Sequence, residues 1–226
     1  VATSFVVNAL LDAYEITGNE QYKTVAVSSA AFILNDLNRT YDEHGNFAFS
    51  YSPLDKTQVF NATLLGARLL SRVYSYTREA DLKEEAAKTV QFVCDRQQAN
   101  GAWAYGTLPY HAWIDSFHTG FNLECLYEYQ QYTGDTRFST HIEKGLTYYT
   151  VTLFTSDGAS KYYNNQLYPI DIHAPAQLIV TLVKLGKFKE NKELVDKVLS
   201  WTVREMQDRK GYFYYQRKKN LSSKIA

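Results

Sequence analysis

A glycine followed two and four residues later by an aromatic side chain recurs along this chain at nearly even intervals. The copies are Gly45-Asn46-Phe47-Ala48-Phe49, Gly101-Ala102-Trp103-Ala104-Tyr105 and Gly211-Tyr212-Phe213-Tyr214-Tyr215, and Gly158-Ala159-Ser160-Lys161-Tyr162 keeps only the second aromatic. The four glycines lie 56, 57 and 53 residues apart. A fixed period of this size marks a structural unit used several times, because one unit cannot bury its apolar side alone and must stack on its neighbours.

The segments between the glycines read as pairs of helices. Val1 to Ile16, Thr57 to Tyr76, Asp115 to Tyr132 and Ala174 to Leu185 are apolar on nearly all sides, the pattern of helices surrounded by other helices. Asn61-Ala62-Thr63-Leu64-Leu65 echoes Asn8-Ala9-Leu10-Leu11, and Tyr132-Thr133-Gly134-Asp135 mirrors Ile16-Thr17-Gly18-Asn19 as a stop. Glu20 to Leu37, Leu82 to Gln98, Arg137 to Leu153 and Lys189 to Met206 are amphipathic. Four inner and four outer helices therefore alternate, with a long aromatic loop after each outer helix and a short glycine-containing one after each inner helix. The expected fold is all-α, an α/α toroid, partial or open, of four helical hairpins. Residues 1–226 are expected to form a single such domain, a fragment or an incomplete ring, since the chain opens at Val1 inside an apolar helix.

Composition narrows the function. Lys+Arg 24 against Asp+Glu 24 supplies no positive field for nucleic acid. No apolar run approaches the length of a membrane span, and no signal-peptide pattern stands at the start, so a cytoplasmic location is expected. Cys94 and Cys125 lie on apolar helix faces and read as small buried hydrophobes. Asn-x-Ser/Thr occurs at Asn38, Asn61 and Asn220, but Asn61 opens an apolar helix, so these read as chance matches. Arg217 to Lys219 reads as a solvated basic end. Phosphate loops, nucleophile elbows, CxxC and dinucleotide fingerprints are missing from the sequence, and no cofactor is implied.

Phe92-Val93, Gln97, Gly101 and Trp103, at the spacing they have here, resemble the QW repeat of the terpenoid-cyclase and protein-prenyltransferase toroids. Gln207, Gly211 and Phe213 form a weaker copy, and Lys144-Gly145-Leu146-Thr147-Tyr148 resembles the head of a third. The resemblance implies a structural role for Trp103, tying a loop to the ring. The catalytic signatures of those relatives do not match: Asp171-Ile172-His173-Ala174 has one carboxylate where cyclases cluster several, and neither cysteine has the prenyltransferase zinc spacing. The block Tyr110-His111-Ala112-Trp113-Ile114-Asp115-Ser116-Phe117-His118-Thr119-Gly120-Phe121 is similar to bacterial toroid proteins associated with polysaccharide biosynthesis. The layout as a whole is similar to six-hairpin glycosidases and to the toroid domains of polysaccharide lyases and epimerases.

Aligning the repeats places an aspartate before three successive inner helices, in Pro53-Leu54-Asp55, Trp113-Ile114-Asp115 and Pro169-Ile170-Asp171. Aspartate is a preferred N-cap, so a purely structural role competes with a catalytic one. His111, His118 and His173 fall close to these aspartates. A metal site from the three histidines lacks any short paired-histidine motif. Histidine can exchange protons near neutral pH, which makes Asp115, Asp171, His118 and His173 an acid/base set. Tyr51, Asp55, Tyr110, His111, Trp113 and Tyr168 are the expected substrate contacts, since aromatic faces flanked by polar groups suit a sugar ring. The sequence thus points to a protein that binds an oligo- or polysaccharide in a central cleft; if it is also an enzyme, it cleaves or epimerises that ligand as a glycoside hydrolase, lyase or epimerase. The alternatives are a non-catalytic scaffold in polysaccharide biosynthesis and an isoprenoid-processing protein.

Overall fold

The structure, a computed structural model, describes residues 1–219 and the backbone of 222–223; Asn220, the last of the three glycosylation matches, lies outside them. Eight α-helices are found among the described residues: α1 (Ala2–Thr17), α2 (Glu20–Asn35), α3 (Phe60–Thr77), α4 (Ala80–Cys94), α5 (Ser116–Thr133), α6 (Ser139–Thr152), α7 (His173–Lys184) and α8 (Lys192–Met206). None of them is long and apolar enough to cross a membrane. Strands β1 (Arg39–Tyr41) and β2 (Phe47–Phe49) form a two-stranded hairpin.

The repeat is conformational as well as sequential. In each long loop a backbone N–H donates to the carbonyl four residues on: Asp42 to Asn46, Gln98 to Ala102, Thr155 to Ala159 and Asp208 to Tyr212, at 2.8–2.9 Å. In each the intervening glycine donates back to the first residue, and Gly45, Gly101, Gly158 and Gly211 all take positive φ. The copy that lost its first aromatic, at Gly158, keeps the same turn. Two glycines are needed for a second reason, close approach. A Cβ on Gly101 would stand 2.3 Å from the Lys144 carbonyl oxygen, and one on Gly158 equally near that of Lys197, so each loop lies directly on an outer helix.

The short stops depart from expectation once. Gly18, Gly134 and Gly186 end α1, α5 and α7 with positive φ, but α3 ends on Arg78 at φ 62. The Arg78 N–H still reaches the Tyr74 carbonyl at 2.9 Å, so the cap is made at the cost, about 1 kcal/mol, of a side chain in the left-handed region.

The chain divides into two compact units, one of residues 1–97, 106–111 and 125–140, the other of 98–105, 112–124 and 141–226. In the first, α3 is the helix that the sequence pattern describes, with every residue from Phe60 to Val73 buried, Asn61 among them. Two of its buried residues are arginines. Arg72 reaches Asp12 at 2.5 Å and Glu15 at 3.3 Å, and Arg68 reaches Glu128 at 3.1 Å, because a buried guanidinium is tolerable only when paired. The expectation for α1 needs correction. It packs on α2 and α3 through Ser4, Val7 and Leu11, while Phe5, Val6 and Ile16 stay exposed, so it is covered on one side rather than surrounded.

In the second unit Trp103 is fully buried against α6, where a Cβ on Gly145 would come within 2.5 Å of its ring. Trp103 thus pins its loop to α6. Gly120 similarly admits Gln177 and Thr181 of α7 and the Tyr149 hydroxyl of α6, the first at 2.5 Å from where its Cβ would be. Strands β3 (Ile170–Asp171), β4 (Gln216–Arg217) and β5 (Ser222–Ser223) form an antiparallel sheet in that order, with Asp171 opposite Gln216. Arg217 is therefore not a solvated end: it sits in a strand and pairs with Glu205.

Candidate active site

The start of α5 is fixed from both sides. The Tyr105 N–H donates to the Trp113 carbonyl at 2.9 Å, and the Asn164 N–H donates to the Ile114 carbonyl at the same distance. Asp115 follows as the residue before the helix. Its carboxylate accepts the His118 backbone N–H at 3.3 Å, a capping contact, and also the His118 Nδ1 at 2.8 Å. Asp171 repeats the arrangement ahead of α7, accepting the His173 N–H at 2.9 Å and its Nδ1 at 2.7 Å. Its other oxygen accepts Gln216 Nε2 at 3.0 Å. In each pair the carboxylate fixes one ring nitrogen as the donor and leaves Nε2 as the atom available for proton exchange.

Both pairs line one cleft of about 280 Å³, together with Ser116, Phe117, Lys161, Tyr162, Ala174 and Tyr215. Phe117 lies between the histidines, its ring centroid 5.4 Å from that of His118 and 5.5 Å from that of His173. His118 is the more enclosed. Tyr105 at 4.8 Å and Trp113 at 5.7 Å present their rings to it, and Tyr105 and Trp113 are themselves stacked at 4.1 Å. His173 is half exposed, with Tyr215 at 5.7 Å. Burial, the neighbouring Tyr163 and the acids Asp171 and Asp115 raise the Tyr162 phenol above its usual range, so it stays protonated and able to donate.

The remaining sequence candidates are placed differently. Trp113 belongs to the aromatic wall behind His118 and is not among the cleft-lining residues. Tyr168, which joins Pro169 through a cis peptide bond, packs against the buried cluster of Ala159, Ile170, Trp201 and Met206 rather than lining the cleft. Tyr51, Asp55, Tyr110 and His111 belong to the first unit, and none of them lines the cleft either. Tyr110 and His111 sit edge to face on a 3-10 turn (Pro109–His111), with Tyr110 largely exposed and the His111 pKa lowered by burial. Asp55 is consumed by its own loop. It accepts the backbone N–H groups of Tyr51, Ser52 and Thr57 and the hydroxyls of Ser52 and Thr57, which hold its pKa at about 2 against the upward push of partial burial.

Six cleft residues were not read from the sequence as site residues: Ser116, Phe117, Lys161, Tyr162, Ala174 and Tyr215. Tyr162 and Tyr215 are each the second aromatic of a glycine-aromatic copy, a signal that could have nominated them. Among the described residues no group of three or more His, Cys, Asp or Glu side chains could hold a metal ion.

No protein-family profile matches the chain, and no curated protein does. Solved structures do. The chain superposes over 99% of its length on cellobiose 2-epimerase from Bacillus thermoamylovorans, with a TM-score of 0.77 at 13% identity and 65% of that protein covered. It superposes over 99% on a GH76 α-mannanase from Bacteroides thetaiotaomicron, with a TM-score of 0.71, 14% identity and 63% coverage. It also superposes over 92% on the unsaturated glucuronyl hydrolase of Bacillus sp. GL1, responsible for the degradation of glycosaminoglycan, with a TM-score of 0.71, 9% identity and 63% coverage. The fold is that of the α/α toroids. The chain spans a little under two thirds of the length of these neighbours.

Proposed function

We propose that the cleft binds a saccharide and that His118 and His173 move protons on it, as in epimerisation next to a sugar carbonyl. The observation that carries this reading is the pair of His–Asp units in one cleft, each with Nδ1 tied to its carboxylate. In such a reaction one imidazole removes the proton from the carbon beside the carbonyl, giving an enediolate. The other then protonates that carbon from the opposite face, and no oxidant or metal enters the balance. Phe117, Tyr162 and Tyr215 supply apolar faces for the ring, and the Tyr162 phenol supplies a donor for a hydroxyl. That the fold neighbours include an epimerase and two glycan hydrolases supports a carbohydrate ligand.

Hydrolysis is the second reading, favoured by the presence of two carboxylates in the same cleft. It ranks lower because each carboxylate is already committed to its own histidine ring and to a backbone N–H. An isoprenoid pocket would be lined by apolar groups with an acid cluster, and this lining is richer in polar groups than that. Incubation of the protein with cellobiose and other reducing disaccharides in deuterated water tests the proposal. Loss of the proton signal at C2, abolished in His118→Asn and His173→Asn, is the expected result. Release of monosaccharides without exchange at C2 would turn the reading to hydrolysis, and neither exchange nor binding would remove it.

A further inference from the structure

Away from the cleft, α5 and α7 are joined by a buried charge that the proton-transfer chemistry does not use. Glu124 of α5 is 2% exposed and takes three groups of α7: the Gln177 amide and, at 2.9 Å, the Thr181 hydroxyl donate to one carboxylate oxygen, and the Lys184 ammonium pairs with the other at 2.9 Å. Gln177 also donates to Thr181 at 3.0 Å, and both are buried. These contacts follow one stripe of each helix. His173, Gln177, Thr181 and Lys184 succeed one another at steps of four, four and three residues along α7, and Phe117, Gly120 and Glu124 at steps of three and four along α5. The seam therefore has three levels: the Phe117 and His173 rings 5.5 Å apart at the cleft, Gly120 against Gln177 next, where a Cβ would stand 2.5 Å from the Gln177 side chain, and the Glu124 cluster furthest in. Apolar contacts are non-directional and tolerate repacking, whereas a buried carboxylate with three partners does not, because any shift strands the charge without them.

We infer that Glu124, gripped by Gln177, Thr181 and Lys184, sets the register of α7 on α5 and is thereby a positioning residue for His173, holding its imidazole beside Phe117 in the cleft that it shares with His118. His118 needs no such clamp, since it belongs to the same helix as Glu124 and is tied to Asp115 at the start of that helix. One residue of slip along α7 is about 1.5 Å, and a displacement of about 1 Å at a reacting group is enough to cost about 10²-fold in rate. The kinetic consequence rests on the proton-transfer reading above; the register does not.

Replacing the cluster by apolar groups of similar size, Glu124→Leu together with Gln177→Leu and Thr181→Val, separates positioning from stability, because such replacements of buried ionic groups are often neutral or stabilising. The triple variant should melt at the wild-type temperature or above, yet lose about 10- to 100-fold in kcat for C2 exchange with KM within about twofold. NMR of protein labelled at its histidines reads the register without any turnover: the His173 ring signals, shifted by the Phe117 and Tyr215 rings, should move while those of His118 stay in place. Glu124→Gln keeps an acceptor for Gln177 and Thr181 and should retain about half or more of the rate and the wild-type His173 signals. Unmoved His173 signals in a folded triple variant would overturn the inference, as would a Glu124→Gln protein as perturbed as the triple one. If the triple variant does not fold, Thr181→Val alone decides by the same signals, movement of His173 without His118 supporting the inference and no movement overturning it. A moved His173 signal in a protein whose wild type shows no C2 exchange would remove the proton-transfer reading and leave the register standing.

Discussion

Asp55 and Asp115 occupy corresponding places in the repeat, and only one of them holds a histidine. Around Asp55 the loop provides Ser52 and Thr57, whose hydroxyls and N–H groups saturate both carboxylate oxygens. Asp115 instead meets His118, the third residue of the helix, and its carboxylate orients an imidazole in the cleft. Asp171 follows Asp115 with a shorter spacing, His173 being two residues on. The comparison teaches that the repeat furnishes an aspartate at the head of a hairpin, and the following few residues decide whether it locks a loop or holds an imidazole in the cleft.

Substitutions sharpen this contrast. The largest effect is expected from His118→Asn and His173→Asn, each lowering the rate of C2 exchange by about 10²–10⁴-fold, the contribution of a general acid or base. Equal activity in either variant breaks the claim that both imidazoles take part. Asp115→Asn and Asp171→Asn should follow, with losses of about 10- to 100-fold from the weakened charge-assisted hydrogen bond, while Asp55→Asn leaves the rate unchanged. Gln216→Ala removes the partner that steadies only Asp171 and should cost about three- to tenfold in kcat with little change in KM.

The smallest effect concerns Asp55 and is read in stability. Its folded pKa of about 2 lies below the ordinary 3.8, so the carboxylate stabilises the fold fully above the unfolded value. That contribution is lost as pH falls from about 4 towards 2. Urea unfolding should therefore show Asp55→Asn less stable by about 1 kcal/mol at pH 7, once solvent screening is allowed for, with the gap closing below pH 4. A gap that persists at pH 2 would mean that Asp55 acts through shape and not through its charge.

Much of this architecture is legible in the sequence because its constraints are local. A positive-φ turn calls for glycine, so the repeat is visible in the glycines, and the eight helices follow from the spacing of apolar residues between them. His118 and His173 are legible beside their aspartates because capping contacts act over two or three residues. What escapes is set by distant pairing. Nothing near Gln216 says that it will lie opposite Asp171, since that register is made by backbone hydrogen bonds between β3 and β4. The one-sided packing of α1 is hidden for the same reason: apolar residues mark what can be buried, and the neighbours decide what is. Asp55 is a different case. Ser52 and Thr57 flank it at turn-forming distances, so its commitment to the loop was readable from the hydroxyls beside it.

The contact of Gly158 with α8 reaches further than the turn it makes. Lys161 and Tyr162 come three and four residues after it, so the seat of that glycine on the Lys197 carbonyl fixes the depth at which a cation and a phenol enter the cleft. A methyl group there would lift the loop and withdraw both together, so an outer helix gauges the depth of a cleft to whose lining it contributes no residue.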